Sequence, residues 1–308
     1  MVDITASMVK DMREKSGAGM MDAKAALLAN DGNMDAALDW LRAKGLAKAA
    51  KKSGRTAAEG LVAVAVDAKG TTGAVVEVNS ETDFVARNET FQGFVRDVAN
   101  LGLTVANDTA ALADAPMGGK TVQETLTAMI ATIGENMSLR RFQKLSVGQG
   151  VVASYVHNAV VPNLGKIGVL VALESAAPVE QLHTLGKQIA MHIAAANPEC
   201  LDRSTVSADS VEREKAIFRE QTKDSGKPAE IIEKMIEGRM RKYYEEICLT
   251  EQVFIMDGER TITQVVEAAS KDFGTPVKLA GFARYLVGDG IEKEEVDFAA
   301  EVAATAAG

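Results

Sequence analysis

Cysteine is almost missing from this chain. Only Cys200 and Cys248 occur in 308 residues, and they lie far apart in the sequence. That excludes a disulfide framework and a C-x-x-C site, and it points to a reducing compartment. Histidine is equally sparse. His157, His183 and His192 have no zinc-type spacing to one another or to a cysteine. No stretch stays apolar for the roughly 18 residues a membrane span needs. The start, Met1-Val2-Asp3-Ile4-Thr5, has neither a basic segment leading into an apolar run nor an Arg-rich transit pattern, so a cytoplasmic protein without membrane contact is expected. Positive charge is in deficit, with 34 Lys+Arg against 43 Asp+Glu and a net charge of −9. Sequence-independent binding to nucleic acid is therefore not expected, because phosphates require a positive surface. Aromatics make up 5%, too few for a thick aromatic core, and small apolar residues and Met take their place.

What is present is ordinary for a soluble globular protein: 47% apolar and 25% charged residues, in a length that suits about two domains. Residues up to about Lys44 read as three short helices. Thr5 caps the first, Met8, Val9 and Met12 form its apolar face, and Gly17-Ala18-Gly19 ends it. Met20–Ala29 is the second, Asp31-Gly32-Asn33 a turn, and Ala37, Leu38, Trp40 and Leu41 belong to the third. Lys44–Arg55, with its basic residues and glycines, reads as a solvated linker. Two copies of one pattern follow. Leu61–Val66 and Ala74–Val78 form a hairpin about Lys69-Gly70, followed by a helix with Phe91, Val95, Val98 and Leu101 on one face. Val151–His157 and Ile167–Leu173, with Asn163 and Gly165 between them, are followed by a helix carrying Leu182, Leu185, Ile189 and Ile193. A shift of 94 residues places Val75 on Val169, Phe91 on Leu185, Val95 on Ile189 and Ala99 on Ile193, an internal duplication. Between the copies, Thr121-Val122-Gln123-Glu124 opens a helix with a capping box, and Leu126, Met129, Ile130 and Ile133 form its apolar face. After them, Val211–Thr222, a turn at Asp224-Ser225-Gly226-Lys227-Pro228, and a second arm with Ile232, Ile236, Arg239, Tyr243 and Ile247 on a narrow seam predict an antiparallel coiled coil. Val253–Met256 and Val277–Phe282 read as strands, and Val296, Ala299, Ala300 and Ala303 as a closing helix. The fold class expected is α+β: a three-helix N-terminal domain, duplicated hairpin-plus-helix subdomains, an inserted antiparallel coiled coil and a C-terminal helix. The divisions fall at 1–55, 56–148, 149–284 with the coiled coil near 207–249, and 285–308.

Reaction chemistry is hard to find. Gly119-Lys120-Thr121 ends like a phosphate loop, but the required earlier glycine is Asp114. Gly148-Gln149-Gly150-Val151-Val152-Ala153 matches a dinucleotide pattern but leads into β-branched residues rather than a helix. His183 and His192 lie in a predicted helix beside apolar neighbours and read as structural. Both cysteines read as buried, inert thiols. No catalytic residue, metal site or cofactor is expected.

One segment departs from the duplicated scaffold. Asn79-Ser80-Glu81-Thr82-Asp83-Phe84-Val85-Ala86-Arg87 joins strand to helix in the first copy, whereas the second has Ala176-Ala177-Pro178 there. On pattern alone, Thr82 or Asp83 reads as a helix cap and Phe84 as core, ahead of a functional role. However, Thr82-Asp83-Phe84-Val85 resembles the signature of the elongation factor Ts family. So do Val9 to Lys24 (VKDMREKSGAGMMDAK), Ile133-Gly134-Glu135-Asn136, Ser225-Gly226-Lys227-Pro228, Glu237-Gly238-Arg239-Met240 and Asp297-Phe298-Ala299-Ala300-Glu301-Val302. The matches run in one order along the whole chain, and with them the functional reading of Thr82–Val85 prevails.

The resemblance implies a ubiquitin-associated-like N-terminal domain, two related core subdomains and a protruding coiled coil. It implies guanine-nucleotide exchange on elongation factor Tu during translation elongation, with no direct nucleotide binding and no reaction catalysed. By that resemblance, Thr82, Asp83, Phe84 and Val85 dislodge Mg²⁺ on the partner, Phe84 as a wedge and Asp83 by disturbing the metal-holding groups. Arg13, Met20, Met21, Lys24, His157, Ile255 and Met256 would contact the partner. For Met20 and Met21, helix core is an equal alternative; for His157, the alternative is a satisfied edge-strand residue. Two other readings stand beside this one: a helical-domain protein-binding adaptor without exchange activity, and a small-molecule enzyme using a groove between the copies.

Overall fold

The computed structural model describes residues 4–16, 18–222 and 228–292. They fall into two compact units. Unit 1 is built from the described residues of Met1–Val62, Val76–Phe142 and Leu286–Gly308, and unit 2 from those of Ala63–Val75 and Gln143–Tyr285.

Unit 1 begins with α1 (Ala6–Ser16), α2 (Met20–Ala29) and α3 (Met34–Ala50). Thr5 caps α1, its Oγ1 accepting the Met8 N–H at 3.3 Å, and Asn33 Oδ1 caps α3 by accepting from Ala36 at 3.1 Å. Asp31 and Gly32 take left-handed angles in the turn between α2 and α3. Met12, Ala23, Ala26, Leu27 and Ala37 form a small core, ringed by Met8, Val9, Leu38, Trp40 and Leu41. The stretch expected to be a solvated linker from Lys44 is instead mostly helix, since α3 continues to Ala50. Two of its lysines share one partner. Lys44 and Lys48, one turn apart, both donate to Asp22 at 3.0 Å; these bonds, that of Lys48 first, hold the Asp22 carboxyl below its usual range.

The chain continues through β1 (Glu59–Val66) and β2 (Thr72–Ser80), joined by a turn with Gly70 at φ 71. A single 3₁₀ turn over Val85–Arg87 leads into α4 (Glu89–Gly102), which buries Phe91, Phe94, Val95 and Val98. Next come α5 (Thr109–Ala113), the two-residue strands β3 (Pro116–Met117) and β4 (Lys120–Thr121), and α6 (Val122–Ile133). The rejected phosphate-loop motif is thus the β3–β4 turn and the cap of α6, whose capping box is complete. β5 (Met137–Ser146) follows; it was not expected, because adjacent Arg140 and Arg141 obscure its alternation. Both arginines meet Glu77 of β2, which is fully buried. Glu77 also accepts from Asn79 Nδ2 at 3.0 Å and from the Gly288 N–H at 2.8 Å. A buried carboxylate persists only with such satisfaction.

Unit 2 contains β6 (Gly150–Val161) and β7 (Leu164–Glu174), paired antiparallel with Val151 opposite Leu173 and His157 opposite Ile167, and with an irregularity between Ala159 and Val161. α7 (Val179–Ala196) packs Leu182, Leu185, Ile189 and Ile193 against Val151, Val169, Val171 and Leu173. Hairpin followed by helix therefore occurs twice, and the pairs matched by the 94-residue shift are buried in both copies. Each hairpin also starts with a left-handed glycine: Gly60 at φ 122 and Gly150 at φ 134. A Cβ there would sit 2.2 Å from the Val78 carbonyl or 2.0 Å from that of Leu173, so a side chain is excluded at both.

The helical hairpin consists of α8 (Ala208–Thr222) and α9 (Ala229–Ile247). The buried residues of α9 are Ile236, Met240 and Ile247, of which Ile236 and Ile247 were expected on the seam. Arg239, assigned to the seam from spacing, is exposed but does reach the other arm, its guanidinium lying 5.9 Å from the Phe218 ring of α8, a cation–π contact. Val253–Met256 is not a strand: it makes one isolated bridge, Val253 to Thr261, and turns back because the Asp257 carboxylate takes the backbone N–H groups of Glu259 and Arg260. α10 (Ile262–Asp272), unanticipated, opens with a Thr261–Gln264 capping box, and β8 (Lys278–Leu286) takes in the expected Val277–Phe282 run apart from Val277 and extends four residues beyond it. The sheet order is β5-β2-β1-β7-β6, with β8 also paired to β7. The hairpin turn at 224–227, the C-terminal helix and the Asp297–Val302 match lie outside the described residues.

Two expectations about single residues are overturned. Cys200 and Cys248, far apart in sequence, meet at the base of the helical hairpin with their sulfurs 3.3 Å apart. Cys248 is buried, but Cys200 is only half-buried. His183 is exposed on α7 rather than structural, because its position falls on the helix face away from Leu182 and Leu185. His192 is fully buried, as expected: its Nε2 lies 2.9 Å from Gln252 Oε1, and Nδ1 accepts the Ile255 N–H at 3.3 Å. Burial pushes its pKa below 6.5, against a smaller upward effect of Gln252.

Candidate functional site

The segment between β2 and α4 is a turn whose backbone is held at almost every step. Ser80 Oγ donates to the Thr82 carbonyl at 3.0 Å. Thr82 gives both its N–H (2.9 Å) and its hydroxyl (2.6 Å) to the carboxylate of Glu135. The carbonyls of Phe84 and Val85 accept the N–H groups of Arg87 and Asn88 at 3.1 and 2.9 Å. Gln92 donates to the Ala86 carbonyl at 2.9 Å, and Asn88 Oδ1 caps α4 at Phe91. Val85 and Ala86 point inward and are buried.

The consequence is a well-tied loop with two side chains turned outward. Phe84 is 73% exposed although it is a large apolar ring. Asp83, beside it, has a half-exposed carboxylate whose nearest cation is Arg87, at 3.5 Å along the surface. Helix capping falls to Asn88 rather than to Thr82 or Asp83, so the structural account of this segment fails for both Asp83 and Phe84. Val85, placed with them from the sequence, serves as an anchor under the turn. Such a loop can present a rigid ring and a carboxylate to another molecule, with little ordering left to do on contact.

The other residues singled out are distributed over both units. In unit 1, Arg13 lies on α1, and Met20, Met21 and Lys24 lie on α2; all are exposed, Met20 by 60% and Met21 by 77%. The small-domain core is filled by Met12 and Leu27, so the helix-core reading of Met20 and Met21 is ruled out. In unit 2, His157 is exposed near the end of β6, with Tyr155 Oη 3.0 Å from its Nδ1. Ile255 and Met256 are 47% and 44% exposed on the turn after Phe254, anchored by buried His192 through the Ile255 N–H.

Sequence reasoning assigned no role to Glu81, Glu135 or Asn136. Glu81 accepts the Asn136 N–H and pairs with Arg55 at 3.5 Å, while Asn136 Nδ2 donates to the Arg55 carbonyl at 2.6 Å. The available signal was a glycine closing α6, Gly134 at φ 91, followed at once by two polar residues. Among the described residues there is no group of three or more His, Cys, Asp or Glu side chains able to hold a metal ion, and no helix long and apolar enough to cross a membrane.

Comparison with known proteins places this geometry in context. The family profile described as Elongation factor TS matches residues 81–289. The chain is 61% identical to the elongation factor Ts of Paramagnetospirillum magneticum, over 99% of this chain and 98% of that one. It is 61% identical to the protein of the same name from Rhodospirillum rubrum, over 99% of each chain, and 56% identical to that of Allorhizobium ampelinum, over the whole of both.

Proposed function

The chain belongs to the elongation factor Ts family, a family of translation elongation factors, and from that premise we propose that it is the guanine-nucleotide exchange factor of elongation factor Tu. It binds the GDP-bound GTPase, displaces the Mg²⁺ held there, promotes GDP release and leaves when GTP binds. The observation that carries this reading is Phe84, a bare aromatic ring next to a carboxylate on a loop fixed from both sides.

The physics is that of differential binding. In such GTPases Mg²⁺ bridges the phosphates and protein ligands and neutralises their charge, so moving it loosens GDP without any covalent step. A thousandfold faster release requires about 4 kcal/mol. Burying one Phe side chain supplies roughly 1.5–3 kcal/mol. Phe84 therefore needs a wider interface to hold it in place, and the exposed Arg13, Met20, Met21, Lys24, His157, Ile255 and Met256 are the candidates. Asp83 acts by charge, disturbing the groups that hold the metal.

Release of labelled GDP from purified elongation factor Tu, with and without this protein, tests the proposal. The wild-type chain should accelerate release by orders of magnitude, and an Asp83→Ala, Phe84→Ala double variant should lose most of that. A double variant that exchanges as fast as wild type would refute the wedge.

A further inference from the structure

The geometry points to Glu135 as a positioning residue that holds the Asp83–Phe84 turn in its working shape before any partner arrives. This inference rests on the exchange reading above and adds a residue to it. Glu135 is 53 residues away from Thr82 in the chain, yet both of its carboxylate oxygens are spent on that one residue: Oε2 on the backbone N–H at 2.9 Å and Oε1 on the hydroxyl at 2.6 Å. The tie is reciprocal, because the residue before Thr82, Glu81, accepts the backbone N–H of Asn136, the residue after Glu135. Two neighbouring pairs thus cross-link two turns through side chains. Hydrogen bonds to an ionised acceptor are about twice as strong as neutral ones, and this one immobilises the residue immediately before Asp83.

Gly134 makes the arrangement possible. Its left-handed angle, φ 91, ends α6 and swings the chain back so that Glu135 faces the Thr82 turn. Lys52, just beyond α3, donates to the Gly134 carbonyl, and Arg55 lies against Glu81. The same small junction therefore fixes the end of the N-terminal helices and the turn that carries Phe84.

The scaffold itself does not call for this tie. In the second copy the matching strand-to-helix junction reads Ala176-Ala177-Pro178 and is held by a hydroxyl rather than a carboxylate: Ser175 Oγ accepts the Ala177 N–H at 3.1 Å and donates to the Pro276 carbonyl at 2.7 Å. A longer, exposed turn needs an added anchor, and Glu135 provides one. Holding the ring and the carboxylate in place beforehand removes the ordering cost from the exchange step.

The test is a double-mutant cycle on labelled GDP release from elongation factor Tu at saturating factor, with the affinity of the complex and the unfolding temperature of each variant measured alongside. Glu135→Ala should slow release about tenfold, equivalent to about 1.4 kcal/mol. Glu135→Gln, which keeps the length and one acceptor oxygen, should recover part of the rate. Thr82→Val, which deletes only the hydroxyl, should slow release by a smaller factor and covers the case in which Glu135→Ala fails to fold. In a Phe84→Ala background, adding Glu135→Ala should change the rate less than twofold. Equal slowing with and without Phe84 overturns the inference while leaving the wedge standing, as does a Glu135→Ala variant as fast as wild type. A Phe84→Ala variant that exchanges like wild type removes the wedge, and this inference with it.

Discussion

Asp83 and Phe84 owe their exposure to their neighbours. Val85 and Ala86 are pulled into the core on one side and Thr82 is tied to Glu135 on the other, so the two side chains between them have nowhere to go but outward. The cysteines show the opposite behaviour. Burial, and next the contact with Cys200, pushes the Cys248 thiol up to about 12, whereas Cys200 remains half-exposed. The thiolate is the reactive form, and raising the pH to 9 still leaves Cys248 protonated. Alkylation of the native protein by iodoacetamide should therefore label Cys200 and spare Cys248, as peptide mass spectrometry would show. Equal labelling of the two would mean that the base of the helical hairpin opens in solution.

The repeated unit, a hairpin plus a helix, is stabilised by shape as much as by apolar area. Both copies start their first strand with a left-handed glycine pressed against the carbonyl of a partner strand, Gly60 on Val78 and Gly150 on Leu173. Gly60→Ala and Gly150→Ala should each cost more than about 2 kcal/mol, because strain at φ > 0 adds to a backbone clash. Gly70→Ala, at φ 71 but with open space around it, should cost only about 1 kcal/mol. Urea melts of the three variants would distinguish them, and three equal losses would show that the close contacts carry no weight. Most of these elements were visible in the residue pattern. Strand-like runs rich in β-branched residues marked β6 and β7, spacing marked α4 and α7, and Thr121 with Glu124 marked the start of α6. β5 escaped because Arg140 and Arg141 break its alternation to reach a buried acid, a cause located on another strand. α3 was cut short because a run of lysines looks solvated until Asp22 is seen between two of them.

For the whole protein, the proposed exchange activity imposes a symmetry. If the factor weakens GDP binding to elongation factor Tu by some ratio, GDP must weaken the factor's binding by the same ratio. Titrations of the factor into the GTPase, with and without GDP, should give a ratio of dissociation constants equal to that found when GDP is titrated with and without the factor; unequal ratios would mean that a further state or partner is involved. Family, fold class and the Thr82–Val85 motif were readable from the chain alone, since they depend on local propensity, on periodicity and on motif order along the sequence. The exposure of Phe84, the meeting of Cys200 with Cys248 and the tie from Glu135 to Thr82 were not. Each depends on residues tens of positions apart becoming neighbours, and a linear pattern carries no distance between them until the strands and helices have packed.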